Sequence, residues 1–236
     1  MLVMSTGFSV AEEDLYHKTV EAVLAQLRKT RNPADLLGVL RLAFKRFDRA
    51  YDLAPAAARA TVACRAGCGT CCHVPVGAQA HEVLIAAEHI QANFPPEELE
   101  ALLARLVAHR AAFTGRDTTE RLALKMPCTL LRDGSCSIYA ARPESCRSHH
   151  SNNLDGCRTN LAAGVDHVDV LIPDVRGRMF AVMLAIDQAA EASGFDSQAY
   201  DFGSALYEAL TDSLCLARWL RRQPAFSASC HEDGDN

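Results

Sequence analysis

Four thiols crowd into nine residues, Cys64-Arg-Ala-Gly-Cys68-Gly-Thr-Cys71-Cys72, and three more follow at Cys128, Cys136 and Cys146. Cys157 stands close behind as a candidate eighth. Thiolate sulfur selects zinc, copper(I) or iron–sulfur clusters over hard cations. A mononuclear site needs four donors in a tetrahedron. Cys71 and Cys72 are sequence neighbours, and the side chains of neighbours diverge. The pair therefore serves two metals, one polynuclear cluster, or one ligand backed by a supporting thiol. Seven or eight thiols suit an iron–sulfur cluster better than separate tetrahedra, so iron–sulfur is preferred over zinc.

Other donors lie nearby. His73 follows Cys72 directly, and His149 and His150 follow Cys146 closely. Glu82 is either a surface charge or a carboxylate near the metal. Whether Cys157, His73, His149, His150 or Glu82 binds stays open at this level. Arg65, Arg132, Arg142, Arg147 and Arg158 flank the cysteines and would offset thiolate charge, and Gly67 and Gly69 would let backbone N–H groups turn toward sulfur. If the chain is an enzyme, Tyr139, Arg142 and Arg147 are the residues expected to face a substrate. His81, His89 and His109 are expected on helix surfaces, Cys215 in the core as a small hydrophobe, and Cys230 in the tail without a role.

Helices must carry these loops. Apolar residues recur at helical spacing in four long stretches. The first two are Glu12–Lys29 and the stripe Leu36, Leu40, Phe44, Phe47 and Tyr51, with Pro33 opening the second. Two more are Pro173–Ser193 and Tyr200–Arg222, the last with Leu206, Leu210, Leu214, Ala217 and Leu220 inward. Between the cysteine stretches, Ala80–Phe94 and the segment after Pro95-Pro96, with Leu99, Leu102, Leu103, Leu106 and Val107 inward, predict an antiparallel helix pair. Such a pair returns the chain to its start and brings Cys72 and Cys128 to one end of a bundle. Thr129–Leu131 and Ser137–Tyr139 flank an Asp133-Gly134 turn and predict a hairpin. Arg142-Pro143-Glu144 opens one helical turn carrying Cys146, and Ser151–Gly156 is a polar loop. The expected fold is mainly α: a single helical domain over residues 1–236 with a short β-hairpin, an irregular cysteine-rich metal-binding insert over 64–157, and a flexible tail over 227–236.

Composition narrows the function. An apolar share of 49 % supports a large core. A net charge of −5 argues against a dedicated nucleic-acid binder. The N-terminal residues lack the pattern of a signal peptide, and apolar runs such as Ala181–Ile186 fall far short of the roughly 20 residues that span a bilayer. The expectation is a cytoplasmic protein with no membrane partner, where thiols stay reduced and ten cysteines serve as metal or redox groups.

The cysteine pattern, together with Gly134-Ser-Cys136-Ser-Ile-Tyr139 and Arg142-Pro143-Glu-Ser-Cys146-Arg147, resembles the CxxCxxCC family of zinc- or iron-chelating cysteine-cluster proteins. The resemblance runs from Cys64 to Arg147. It implies metal binding and suggests Glu82 as the acid that follows the double cysteine. One branch of the family resembles flagellin lysine N-methylases, which implies S-adenosylmethionine-linked methyl transfer to a protein as the alternative to simple metal binding. Cys64-x-x-x-Cys68-x-x-Cys71 also has the spacing of radical S-adenosylmethionine enzymes, but the strand–helix alternation of their barrel is missing. A metal carrier, or a module in which the metal only holds the fold for a protein partner, is the third reading. Oligomeric state, metal identity and substrate are not written in these motifs.

Overall fold

Helix α1 (Val10–Leu27) starts at a capping box between Ser9 and Glu12, and helix α2 (Pro33–Asp52) starts where the Asn32 side chain accepts from Asp35 N at 2.9 Å. This computed structural model describes residues 7–65, 67–164 and 168–226. Among the described residues 64 % are helical, and the sheets are two antiparallel strand pairs, so the fold is mainly α as expected. In α2 the stripe Leu36, Leu40, Phe44 and Phe47 is buried, and Tyr51 is half-buried.

The short helix α3 (Ala56–Ala60) feeds the first cysteine stretch, which includes a 3₁₀ turn at Thr70–His73. Strand β1 (Gly77–Gln79) then leads into α4 (Ala80–Asn93), and α5 (Pro96–Phe113) and α6 (Thr118–Ala123) run on to the second stretch. Strands β2 (Leu131–Arg132) and β3 (Ser135–Cys136) form the expected hairpin, shorter than its β-prone flanks suggested. Asp133 and Gly134 both have positive φ, 48° and 75°, as a two-residue primed turn requires. Beyond it come α7 (Glu144–Ser148) and α8 (Leu154–Ala163). Helix α8 takes the last three residues of the stretch expected to be loop, because Asn153 caps it by accepting from Gly156 N at 2.9 Å.

Helix α9 (Pro173–Ala192) packs against α1 and α2 and buries Val175, Met179, Val182 and Ile186. The long final helix expected from Tyr200 to Arg222 is instead three pieces: strand β4 (Ala199–Asp201), α10 (Phe202–Thr211) and α11 (Cys215–Leu220). Two aspartates make the breaks. Asp201 accepts from Ser204 N at 2.8 Å and Asp212 from Leu214 N at 2.9 Å, each offering the backbone a local partner in place of the helix. Leu214, expected inward, is consequently 59 % exposed, and Val107 on α5 is exposed as well. Helix α10 packs on both α4 and α5, while β4 pairs with β1 in register Ala78↔Tyr200. The buried set runs continuously from Val23 to Phe226, with Trp219, Tyr200 and Phe47 among its largest members. The tail over 227–236, with Cys230, lies outside the described residues.

Candidate metal centre

Backbone hydrogen bonds stitch the cysteine stretches together. Cys128 N donates to Cys72 O at 2.6 Å, so the helices between them do return the chain to its start. Ala63 N donates to Ser151 O at 2.8 Å, tying the first stretch to the loop after α7. Arg105 on α5 donates to Thr129 O at 2.9 Å and holds the hairpin's base. At Gly69 a Cβ would stand 3.0 Å from Leu131 Cδ1 and 3.3 Å from Gly134 O, so the first stretch lies close against the hairpin.

The thiols act on one another's charge in two sets that share Cys71. Burial pushes the Cys64 thiol up, the N–H of Ser151 eases it, and the charges of Cys68, Cys71 and Cys157 raise it again. On the other side, burial pushes Cys128 up to about 11, with Cys136 and Cys71 adding to the rise. Cys146 is raised by burial and then by Cys128, Cys71 and Cys136. Cys136 is raised by burial and also feels Cys71. Cys71 itself is raised by its hydrogen bond with the Cys72 thiol, by burial and by the charge of Cys72. Ser151 joins members of the first group: its N–H donates to Cys64 Sγ at 3.3 Å, and Cys157 Sγ donates to its Oγ at 3.1 Å. Cys157 thus sits beside Cys64, joined to it through Ser151. Cys215 is apart, 2 % exposed on α11 and donating to Glu208 O.

Charge and backbone dipoles favour sulfur anions here. Backbone N–H groups of Leu130 and Leu131 act on Cys128, and that of Ile138 on Cys136. Of the flanking arginines, Arg142 lowers both Cys71 and Cys136. Its Nε is buried without a hydrogen-bond partner, and its guanidinium lies 3.8 Å from the centre of the exposed Tyr139 ring. Arg132 pairs with Glu98 and Arg158 with Asp155, both on the surface. Arg147 is buried, paired with Asp48 and lying over Phe44, so it braces the core and does not face a substrate.

His149 lines a cavity of about 400 Å³ together with Thr70, Cys71, Cys157 and Arg176. His150 stacks on Tyr51 with ring centres 4.7 Å apart, and burial followed by the Arg142 charge holds it below the usual imidazole range. His73 Nδ1 lies 3.1 Å from Gly69 O within its own turn. Two histidines expected on helix surfaces are buried instead. His109 packs into the α5–α10 interface, 2.9 Å from Asp201, and His81 is fully buried at the start of α4 because that helix is covered on nearly all sides. Glu82 is buried too, accepting from Gln79 N at 2.6 Å and Glu144 N at 2.7 Å. Burial, then the neighbouring Glu144, pushes it up to about 7. It reaches Cys146, whose thiol it helps to raise.

Residues 63–163 match the model of the CxxCxxCC family, described as a putative zinc- or iron-chelating domain. The match begins at the residue bonded to Ser151 and ends with α8. Comparison with curated proteins found no match, and comparison with solved structures found none either.

Proposed function

We propose that the chain is a metal-binding protein whose cysteines hold an iron–sulfur centre, with zinc as the competing occupant, since residues 63–163 match the model of the CxxCxxCC zinc- or iron-chelating domain. Cys64, Cys68 and Cys157 bind with one member of the Cys71–Cys72 doublet, and Cys128, Cys136 and Cys146 bind with the other. The observation that supports this reading is the 2.6 Å bond from Cys128 N to Cys72 O, which seats the doublet against the second stretch, with Ser151 linking Cys64 and Cys157 beside the first. Neighbouring thiols that raise one another's pKa are relieved by a bound cation. The donor set fits a thiophilic metal, and the partnerless Arg142 Nε fits an anionic centre.

Iron–sulfur is favoured because structural zinc sites are closed, whereas Cys71 lines the open cavity with Cys157. Such a centre supplies electron transfer. Around it the chain's own part is to aim N–H groups at sulfur from Leu130, Leu131, Ile138 and Ser151, and to set one positive charge beside it at Arg142. A reducing compartment, the cytoplasm, keeps the thiols available for it. Anaerobically purified protein is expected to contain iron and acid-labile sulfide and to absorb in the visible. A colourless preparation with stoichiometric zinc would replace iron–sulfur by zinc, and one without either metal would overturn the proposal.

The cavity favours a second reading, a metal-dependent enzyme. About 400 Å³ beside two thiols admits a small substrate. Calorimetry with S-adenosylmethionine on fully loaded protein tests the methyl-transfer form of this reading, and an absence of binding heat removes it.

A further inference from the structure

We infer that His81, Glu144 and Asp187 form a second metal site, built of nitrogen and oxygen donors, that takes a divalent ion such as Fe²⁺, Mn²⁺ or Zn²⁺. The three residues come from α4, α7 and α9, and one donor atom from each lies within 4.8 Å of the other two. His81 Nε2 is 3.4 Å from a Glu144 oxygen and 3.8 Å from Asp187 Oδ1. Two donors bonded at about 2.1 Å to one tetrahedral ion stand about 3.4 Å apart, so little movement would seat a cation between them.

Burial makes the arrangement informative. The side chains of His81 and Glu144 are each 1 % exposed, and that of Asp187 is 21 % exposed. Yet both His81 ring nitrogens, both Glu144 carboxylate oxygens and Asp187 Oδ1 are buried without a hydrogen bond. Buried polar groups ordinarily find partners, and two other clusters in this molecule do. His109 meets Asp201 at 2.9 Å in hydrogen-bonding geometry. Glu208, Asp212 and Cys215 are equally compact but are bonded by the Arg218 side chain. Among the described residues no cationic side chain hydrogen-bonds this cluster: Arg147, whose charge reaches Glu144, is bonded to Asp48 and to Ala140 O and Arg142 O instead. Glu82 adds a third carboxylate, but its oxygens are taken by Gln79 N and Glu144 N, so it fixes the backbone of Glu144 and is not a donor. Phe44 and Trp219 flank the imidazole, each with its ring centre 6.4 Å away.

An imidazole with two carboxylates suits borderline metals, unlike the thiol set. Three protein donors leave a further coordination position, as in catalytic rather than structural sites, and Asp187 is the member that reaches solvent. Asp187 lies outside residues 63–163, so the family match does not place this site. Glu144 and Cys146 share α7, which puts the two sites on one helical turn.

Cobalt(II) is the probe. Full-length protein keeps its thiol-held metal, verified by analysis, and is stripped of weakly held ions with a mild chelator before titration. One equivalent of cobalt is expected to bind, with weak visible bands and no sulfur-to-cobalt charge transfer. Asp187→Asn and His81→Ala should weaken binding at least tenfold while the sulfur-held metal is unchanged. Asp187→Asn replaces a half-buried carboxyl without a hydrogen bond at constant shape, so it should melt no lower than the metal-free parent. Absence of cobalt binding, binding only with sulfur charge transfer, or equal binding by the asparagine variant would overturn the site. Unchanged binding with a lower melting temperature would make the cluster a structural network.

Discussion

Replacing Asp201 by alanine should loosen the scaffold that returns Cys72 to Cys128. The carboxylate makes two kinds of bond: it accepts from Ser204 N at 2.8 Å, capping α10, and it lies 2.9 Å from His109 Nε2. Loss of a cap costs about 0.5–2 kcal/mol. A buried histidine left without its acceptor costs about 1–3 kcal/mol more. Burial works against the Asp201 charge, but the hydrogen bond and charge of His109 and the bonds from Ser204 outweigh it, so the carboxyl lies below its usual range. Removing it therefore brings no compensating gain, and the sum is about 1.5–5 kcal/mol. At about 2–4 °C per kcal/mol for a chain of this size, melting should fall by about 3–20 °C. The sign with pH follows from the lowered pKa. The contribution is present above the unfolded value of about 3.9 and is lost as pH falls through the lower folded value. The gap between parent and variant, followed by circular dichroism, should thus be full at pH 6 and close only in strong acid. A variant melting within 2 °C of the parent at pH 6 would refute this account of how α10 is held to α5.

Glu82→Ala leaves Gln79 N and Glu144 N without acceptors and frees α7, so metal affinity at Cys146 should fall by about 10–100-fold, measured by competition with a chelator. Gly134→Ala places a side chain at φ 75°, where L-residues are strained, and should cost about 1–2 kcal/mol in urea denaturation. Arg142→Gln removes the positive charge felt by Cys71 and Cys136 and should weaken metal binding by about tenfold, with helical circular dichroism unchanged.

The helices carrying the site were legible because their apolar stripes and proline starts are local signals: Leu36, Leu40, Phe44 and Phe47 point inward as their spacing requires. The hairpin turn was legible for the same reason, since Asp133-Gly134 favours one backbone shape. What escaped was decided by competition between local and distant partners. Nothing in Tyr200–Arg222 interrupts helical spacing, yet Asp201 and Asp212 bond to backbone three and two residues on and break it. Strand β1 pairs with β4 across about half of the chain, beyond the reach of any window. His81 looks like a surface residue until α4 is known to be covered all round. A polar pair, His81-Glu82, embedded in the run Val83-Leu84-Ile85-Ala86-Ala87 was the one available hint. Arg147 looked like a ligand-facing charge because its salt bridge to Asp48 spans distant sequence.

The bond between Cys128 N and Cys72 O joins residues more than fifty apart. Closing so long a loop in a floppy chain carries an entropic cost of a few kcal/mol, roughly (3/2)RT ln n. Helices α4 and α5, docked on α10, cover that distance as rigid rods and meet the cost before any ion arrives. A metal would therefore meet the two cysteine stretches already side by side, held there by the helices and not by the ion.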